Sequence, residues 1–405
     1  MKPISNDHNV YIVGAGFSSS RGLPLISNFM FEMRDAWQWL TAQGRHTEAK
    51  AAEDVLKFRL ASTPASYRVR VDLENIEELF SLASASGADF SASIQLAIAA
   101  TLDYCKNKNA APSSSFGYEA RGAFWPPGWR LQEANQVVLG SLPLYSAPFY
   151  EFVLYALMGG FSAGPQLKRN TFITFNYDTL IEEALGAIGK PMSYGFRPRS
   201  SITDSSASWL GLGGSAGVEI LKLHGSVNWG YPGRRGGKLT VFGSYEDLQR
   251  SGITPHLIPP TWNKSFESLS DVWLGALRAI GDATRLVVIG FSMPPTDLHF
   301  KYLVAAGLRD NISLREIVFV TVDESVLRPR VSELFGDPDK RPVVRIVNRS
   351  LSTCLNPNID DFLSAIGRPA RVMNVMHDLT SRPGPFGVEI PNGSADVDVI
   401  ATPGE

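Results

Sequence analysis

Five stretches of this chain place residues capable of chemistry directly after a run of apolar β-formers. "YIVGAGFSSSRGLP" breaks at Gly14, Ala15 and Gly16, then runs through Ser18 to Gly22, Leu23 and Pro24. A strand that stops on glycine lets backbone amides approach an anion, a phosphate above all. "TFNYDTLIE" presents Asn176 and Asp178, and "KLHGSVNW" presents His224 ahead of Gly225. "VIGFSMPPTD" presents Gly290, Ser292 and Asp297, and "VTVDES" presents Asp323. An asparagine amide can orient a hydroxyl or a water through both its donor and its acceptor. A histidine titrating near neutrality can take the proton from that group. The set suits work on a phosphate compound and leaves open whether the chain binds, reduces or breaks it.

Each residue also has a plainer use. Asn-x-Asp at a strand end caps helices or makes turns, and Asp323 could cap the helix that follows it. A lone histidine is usually a hydrogen-bonded structural residue. Among six histidines, however, His224 is the one at a strand end before a glycine. What singles these residues out is their recurrence at five strand ends.

The elements that must position them are six short β-branched runs, roughly Asn9–Gly14, Asn170–Phe175, Val218–Leu223, Arg285–Gly290, Leu314–Val320 and Val343–Val347. Most are continuous apolar runs, as in strands of a parallel sheet buried on both faces. The connections are long enough for helical crossovers. The expected architecture is α/β: a Rossmann-like, doubly wound, mostly parallel six-stranded sheet, with ligands at the carboxyl ends of its strands.

About 150 residues between the first and second strands read as helical. Ile26, Phe29, Met30, Met33, Trp37 and Leu40 share one helical face. "DLENIEELFSLASAS", "SASIQLAIAATLDYC" and "SAPFYEFVLYALMGG" read as further helices. The expected organisation is a sheet domain from 1–40 and 166–370, a helical insertion over 41–165, and a flexible or partner-binding tail over 371–405. The insertion includes a Pro/Ser-rich loop carrying Trp125 and Trp129, and "RSSITDSSASWLGLGGSAG" is a second loose stretch. Trp37, Trp39, Phe149, Tyr150, Phe152 and Tyr155 suggest more apolar surface than a crossover needs, and hence a subunit interface.

Composition sets outer bounds. At 405 residues, with 44% hydrophobic and 19% charged residues, the chain can build one large domain or two ordinary ones. A net charge of −2 gives no electrostatic footprint for nucleic acid or an anionic membrane. No apolar run reaches transmembrane length, and "MKPISNDHNV" lacks the apolar core of a signal peptide. The expectation is a soluble, cytoplasmic protein. Cys105 and Cys354 cannot form a disulfide framework or a four-cysteine zinc site.

An ordinary dinucleotide fingerprint fails on two counts. Its third glycine is replaced by Ser19, and Glu32, at the spacing of the ribose-binding acid, falls inside a helical pattern. The chain instead resembles the sirtuin family, specifically its bacterial NAD-hydrolysing branch associated with antiphage defence. The resemblance rests on G-A-G-F-S-S-S-R-G-L-P from Gly14 to Pro24, T-F-N-Y-D from Thr174 to Asp178, L-H-G from Leu223 to Gly225 and G-F-S from Gly290 to Ser292. "NIEELF" from Asn75 and "LIPPTWNK" from Leu257 add to it with lower specificity. Two features depart from the deacylating sirtuins: there is no paired C-x-x-C zinc ribbon, and Leu25-Ile26-Ser27 follows Pro24 where they carry Asp-Phe-Arg.

The resemblance implies NAD+ as substrate, no metal, and Asn176 and His224 as catalytic residues. It further implies Asp178 on the nicotinamide carboxamide, Gly14, Ala15, Gly16 and Ser18 facing the pyrophosphate, and Pro24 among the NAD-binding residues. Gly290, Ser292 and Asp323 would then surround the adenosine ribose. The implied activity is an NAD+ glycohydrolase that depletes NAD+ as a defence effector. A sirtuin-type deacylase or ADP-ribosyltransferase, and a non-catalytic NAD or ADP-ribose sensor, are the alternatives. Such an enzyme must be held silent, so a homo-oligomer is expected. A separately encoded partner, such as a hexameric DNA-translocating ATPase or a short Argonaute, is a further candidate; direct nucleic-acid or membrane binding is not expected.

Overall fold

The computed structural model describes residues 7–87, 91–108 and 169–348, with short gaps at 188–189, 197–198, 201–216, 233–237, 262–265, 295–296 and 342. It also describes residues 150, 153, 154, 157 and 158. The Trp125/Trp129 loop, most of the second loose stretch, Phe149, Phe152, Tyr155, Cys354 and the 371–405 tail lie outside the described residues.

All six expected strands form. They are β1 (His8–Val13), β2 (Arg169–Thr174), β5 (Val218–Lys222), β8 (Arg285–Ile289), β9 (Glu316–Thr321) and β10 (Val344–Asn348). A seventh, β3 (Met192–Tyr194), adds to the edge, and the sheet order is β10-β9-β8-β1-β2-β5-β3. The expected strand count is therefore corrected from six to seven. Met-Ser-Tyr is too short, and too poor in β-branched residues, to announce a strand; its parallel pairing with β5 creates it. Every recorded pairing in this sheet is parallel. Three two-residue strands, β4 (Arg199–Ser200), β6 (Trp229–Gly230) and β7 (Thr240–Val241), form a small second sheet in the order β4-β7-β6.

With β3 set aside, the order is that of the doubly wound dinucleotide-binding fold, with β1 central. After β1 the chain builds outward through β2 and β5, then returns to place β8 on β1's other side. All six residues of β1 are buried, as a central strand covered on both faces requires. The carboxyl ends of β1, β2, β5 and β8 consequently lie along one edge.

The helices between β1 and β2 include α2 (Phe29–Ala42), α3 (His46–Ala61), α5 (Ile76–Ala85) and α6 (Ser91–Lys108), with the short α1 (Ala15–Ser18) and α4 (Thr63–Arg68). In α2, Phe29, Met30, Met33, Ala36 and Leu40 are buried, the three-to-four spacing of an amphipathic helix. Asn75 starts α5, its side chain accepting from the Glu77 N–H at 2.9 Å. Val55, Phe80 and Ile98 from these helices join Val10, Ile173 and Val288 of the sheet in one core. Trp37 packs against this core, Tyr150 is buried, and Trp39 lies against Tyr104 with ring centroids 5.7 Å apart. Tyr150 is buried and Trp37 and Trp39 are half-buried, so these rings contribute to packing within the chain.

The remaining helices are α7 (Leu180–Ala187), α8 (Tyr245–Arg250), α9 (Ser270–Gly281), α10 (Leu298–Leu308) and α11 (Glu324–Phe335). A polar joint ties α8 to the helical layer. Arg45 bonds Glu48 through Nε at 2.7 Å and Asp103 through Nη1 at 2.6 Å, and Tyr245 donates to Glu48 at 2.6 Å. No helix among the described residues is long and apolar enough to cross a membrane.

Candidate functional site

The turn after β1 is built against the turn after β8. Gly14 N–H donates to Ile289 O at 3.1 Å and Gly16 N–H to Gly290 O at 2.8 Å. A Cβ on Gly14 would stand 2.7 Å from Gly290 O, and one on Gly290 would stand 2.2 Å from Phe17 N. Gly290 also has φ +63, which a side chain strongly disfavours. The two glycine turns thus exist to let two backbones meet across the strands. The Gly14 amide is engaged by the last residue of β8 and the Gly16 amide by the turn that follows it. Ala15 is half-buried at the start of α1, and Pro24 is buried below the turn.

Asn176 lies beside this turn. Its backbone N–H donates to Thr174 Oγ1 at 3.0 Å. Its side-chain Nδ2 donates to Gly14 O and to Ser18 Oγ, both at 2.9 Å. A backbone carbonyl can only accept, so the amide cannot be flipped: its nitrogen faces Gly14. Ser18 Oγ in turn donates to Asp178 Oδ2 at 2.7 Å. Ser18 thus links the Asn176 amide to the Asp178 carboxylate. Asp178 Oδ1 accepts from Leu180 N at 3.1 Å, turning the chain into α7. The turn that Asn-x-Asp suggested is made by Asp178, and the Asn176 side chain takes no part in it. With both amide hydrogens directed inward, the Asn176 Oδ1 is the part of the group left to accept from a substrate hydroxyl or water.

His224 follows β5, the neighbour of β2, and is buried. Phe175 meets its ring edge-on at 5.2 Å, and Phe266 lies nearly parallel at 6.1 Å. Tyr177 flanks it at 6.2 Å. Behind the ring a strap from His256 to Pro260 closes over the strand end. Ile258 N donates to His224 O at 2.9 Å, Ser226 N to His256 O at 3.3 Å, and Tyr177 Oη to Ile258 O at 2.7 Å. Gln95 on α6 donates to Leu257 O at 2.7 Å, so the helical layer holds this strap. Gly225 has φ +82, and a Cβ there would stand 2.1 Å from His256 O. Burial holds the Tyr177 phenol protonated, well above its ordinary range.

The residues after β8 and β9 sit on the same edge, further along. Ser292 is exposed, and its carbonyl accepts from Arg330. Met293 adopts φ +47, a left-handed conformation unusual for a side chain of its size. Asp297 caps α10 through Phe300 N at 3.2 Å. Asp323 is exposed and caps α11, its Oδ1 accepting from Ser325 N at 3.0 Å and Val326 N at 3.3 Å. The Ser325 hydroxyl, then these amides, hold its carboxyl below the usual range. Gly14, Gly16, Ser18, Asn176, Asp178 and Gly290 are thus brought into direct contact. His224 stands beside them across the Phe175 ring, while Ser292 and Asp323 make only local or peripheral bonds among the described residues.

Two buried residues that sequence reasoning missed complete the site. Lys222, two residues before His224, and Glu182 on α7 have side chains only 1% exposed, and their charged atoms meet at 3.0 Å. Lys222 Nζ also donates to the carbonyl of Asp178. A charged residue closing an apolar strand reads as a solvent-facing end, and Glu182 reads as the outer face of a helix. Only their position, i and i+2 with His224 for Lys222, could have hinted otherwise. Among the described residues no group of three histidine, cysteine, aspartate or glutamate side chains could hold a metal ion.

Fold and site together define a doubly wound α/β protein whose polar residues gather at the carboxyl edge, next to the switch point between β1 and β8. Residues 170–330 match the SIR2-like domain family. The glycine turn after β1 precedes that span but is hydrogen-bonded into it through Ile289 and Gly290. No curated protein matches the chain. Similar solved structures include a Sir2 protein with the inhibitor EX-527, 2'-O-acetyl-ADP-ribose and a deacetylated p53 peptide, at 13% identity, covering 85% of this chain and 89% of that one, TM-score 0.33. A Sir2 complex with p53 peptide and NAD+ shows 13% identity, the same coverages and a TM-score of 0.33. A mutant Sir2 homologue with ADP-ribose shows 12% identity, 93% and 94% coverage and a TM-score of 0.33.

Proposed function

We propose that this chain hydrolyses NAD+ at its N-glycosidic bond, releasing nicotinamide and ADP-ribose. The observation that carries the reading is the fixed amide of Asn176, locked by Gly14 O and Ser18 Oγ with its oxygen free to accept, on the strand next to the one bearing His224. Nicotinamide leaves NAD+ as a neutral molecule from a cationic state, so no acid is needed to expel it. What the protein must supply is orientation and charge stabilisation for an oxocarbenium-like ribose. Asn176 Oδ1 accepts from the attacking water or a ribose hydroxyl, and His224 takes the proton released as the new C–O bond forms. Asp178 faces the carboxamide of nicotinamide. The pyrophosphate lies over Ala15, and Gly290, Ser292 and Asp323 line the adenosine end.

In the cell this activity acts as a defence effector that depletes NAD+. Unrestrained hydrolysis of NAD+ is incompatible with growth, so the enzyme is held silent until triggered. The restraint is self-association or a separately encoded partner of the hexameric translocase or short-Argonaute kind.

The test is purified protein incubated with NAD+, with and without an acetyl-lysine peptide, with nicotinamide followed by chromatography. Peptide-independent release is the expected result. Release that requires the peptide and yields an acylated ADP-ribose would move the chain to the deacylase reading. Tight NAD+ binding without release would make it a sensor.

A further inference from the structure

We infer that Lys222 and Glu182 form a buried clamp that sets the position of Asn176 relative to His224, and so act as positioning residues for the reaction. The inference rests on the reading of Asn176 and His224 given above. Lys222 ends β5 and pairs in register with Thr174 at the end of β2, the strand carrying Asn176. From there its ammonium reaches past the strand end to two acceptors: the Asp178 carbonyl and, at 3.0 Å, Glu182 Oε1. The Tyr194 hydroxyl donates to the same Glu182 oxygen at 3.3 Å. A continuous path results. Glu182 holds Lys222, Lys222 holds the Asp178 backbone, the Asp178 carboxylate holds Ser18, and Ser18 with Gly14 holds the Asn176 amide.

Stability alone does not call for this pair. Each buried ion forgoes several kcal/mol of hydration, and well-packed apolar side chains of similar volume commonly serve as well. Ile220, which shares the face of Lys222 on β5, is fully buried and apolar. What a methionine could not do is donate to the Asp178 carbonyl, a part-buried acceptor at the first bend after β2. Burial raises the Glu182 carboxyl and Lys222 draws it back down, so each partner answers the other's charge. The clamp therefore fixes the turn between Asn176 and α7 against the strand that bears His224.

The experiment compares wild type, Glu182→Gln, and the volume-matched double variant Lys222→Met/Glu182→Met, which removes both charges together. Melting temperature, steady-state nicotinamide release and hydrogen exchange of the Asn176 side-chain amide are measured on each. The amide signal is assigned by its disappearance in Asn176→Asp. The double variant is expected to melt within a few degrees of wild type, with kcat reduced at least thirtyfold, about 2 kcal/mol, and KM for NAD+ changed less than threefold. Its Asn176 amide is expected to exchange at least tenfold faster. Glu182→Gln, which leaves the buried Lys222 ammonium without its counter-charge, is expected to melt lower and to shift kcat and Asn176 amide exchange in the same direction as the double variant. A folded double variant with wild-type amide exchange would overturn the clamp, as would kcat within threefold of wild type. Should wild type release no nicotinamide, the glycohydrolase reading fails, and the exchange measurement still decides the clamp. Should neither variant fold, Lys222→Arg is read by the same exchange: protection retained supports the clamp, and protection lost while the protein stays folded opposes it.

Discussion

The two ends of the central sheet are both polar, yet they are built on different principles. At the amino edge, His8 N donates to Thr284 Oγ1 at 3.0 Å, the His8 ring meets Thr171 Oγ1 at 2.9 Å, and Thr284 donates to Asp7 at 2.7 Å. No residue from 7–10, 169–172 or 284–286 has positive φ. At the carboxyl edge of the sheet, Gly225 after β5 and Gly290 and Met293 after β8 all do, at φ 82, 63 and 47. There the turns press on one another so closely that Cβ atoms would collide with backbone. Buried polarity alone therefore does not mark a site. What does is polarity held by a backbone that only this packing could impose, ending in a group with capacity to spare, here Asn176 Oδ1.

The largest expected effect is at the contact that makes the carboxyl edge distinctive. Gly290→Ala would place a methyl 2.2 Å from Phe17 N at a left-handed φ. It should lower stability by roughly 3 kcal/mol or more in chemical denaturation, or prevent folding. Near-wild-type stability would show that the two turns are not mutually locked.

Next is His224→Ala, which should cut nicotinamide release by at least a hundredfold, about 2.7 kcal/mol, while the protein stays folded and still binds NAD+. Retention of more than a tenth of the activity removes His224 from the mechanism.

The amino edge should respond to pH instead of to substrate. Burial pushes His8 down from 6.5 to about 4, so it is neutral in the fold, while the unfolded chain protonates near 6.5. More protons bind the unfolded state between these values, so the stabilising share of this group is present above 6.5 and lost as pH falls toward 4. Melting temperature should drop from pH 7 to pH 5, and His8→Gln should flatten that slope without altering turnover per folded molecule. An unchanged slope would mean that His8 is not the titrating group.

What the sequence could reveal followed the same division. The strands were legible because Val10–Val13, Phe172–Ile173 and Leu286–Ile289 are unbroken apolar runs, which only a doubly covered sheet accommodates. Candidate site residues were legible as polar groups at the ends of those runs. Their contacts were not. The spacing of Gly14 and Gly16 announced a close approach but could not name the Gly290 turn as the neighbour that makes it. Lys222 and Glu182 were invisible because their burial depends on α7 folding back across β5, and Met192–Tyr194 became a strand only through its neighbour. The bonds of Ser18 to Asn176 and Asp178 were not legible because those partners lie about 160 residues away along the chain.

The central claim is that the locked amide of Asn176 serves the reaction and not the fold. Asn176→Ala and wild type, purified in parallel, are to be compared for thermal stability, NAD+ affinity and nicotinamide release on the same preparations. An oriented acceptor counts mainly in the transition state. The account therefore predicts NAD+ affinity within roughly tenfold, about 1.4 kcal/mol, and a fall in turnover at least ten times larger than the change in affinity. Reduced melting temperature with unchanged nicotinamide release per folded molecule would contradict it, and would leave Asn176 as a brace between β1 and β2.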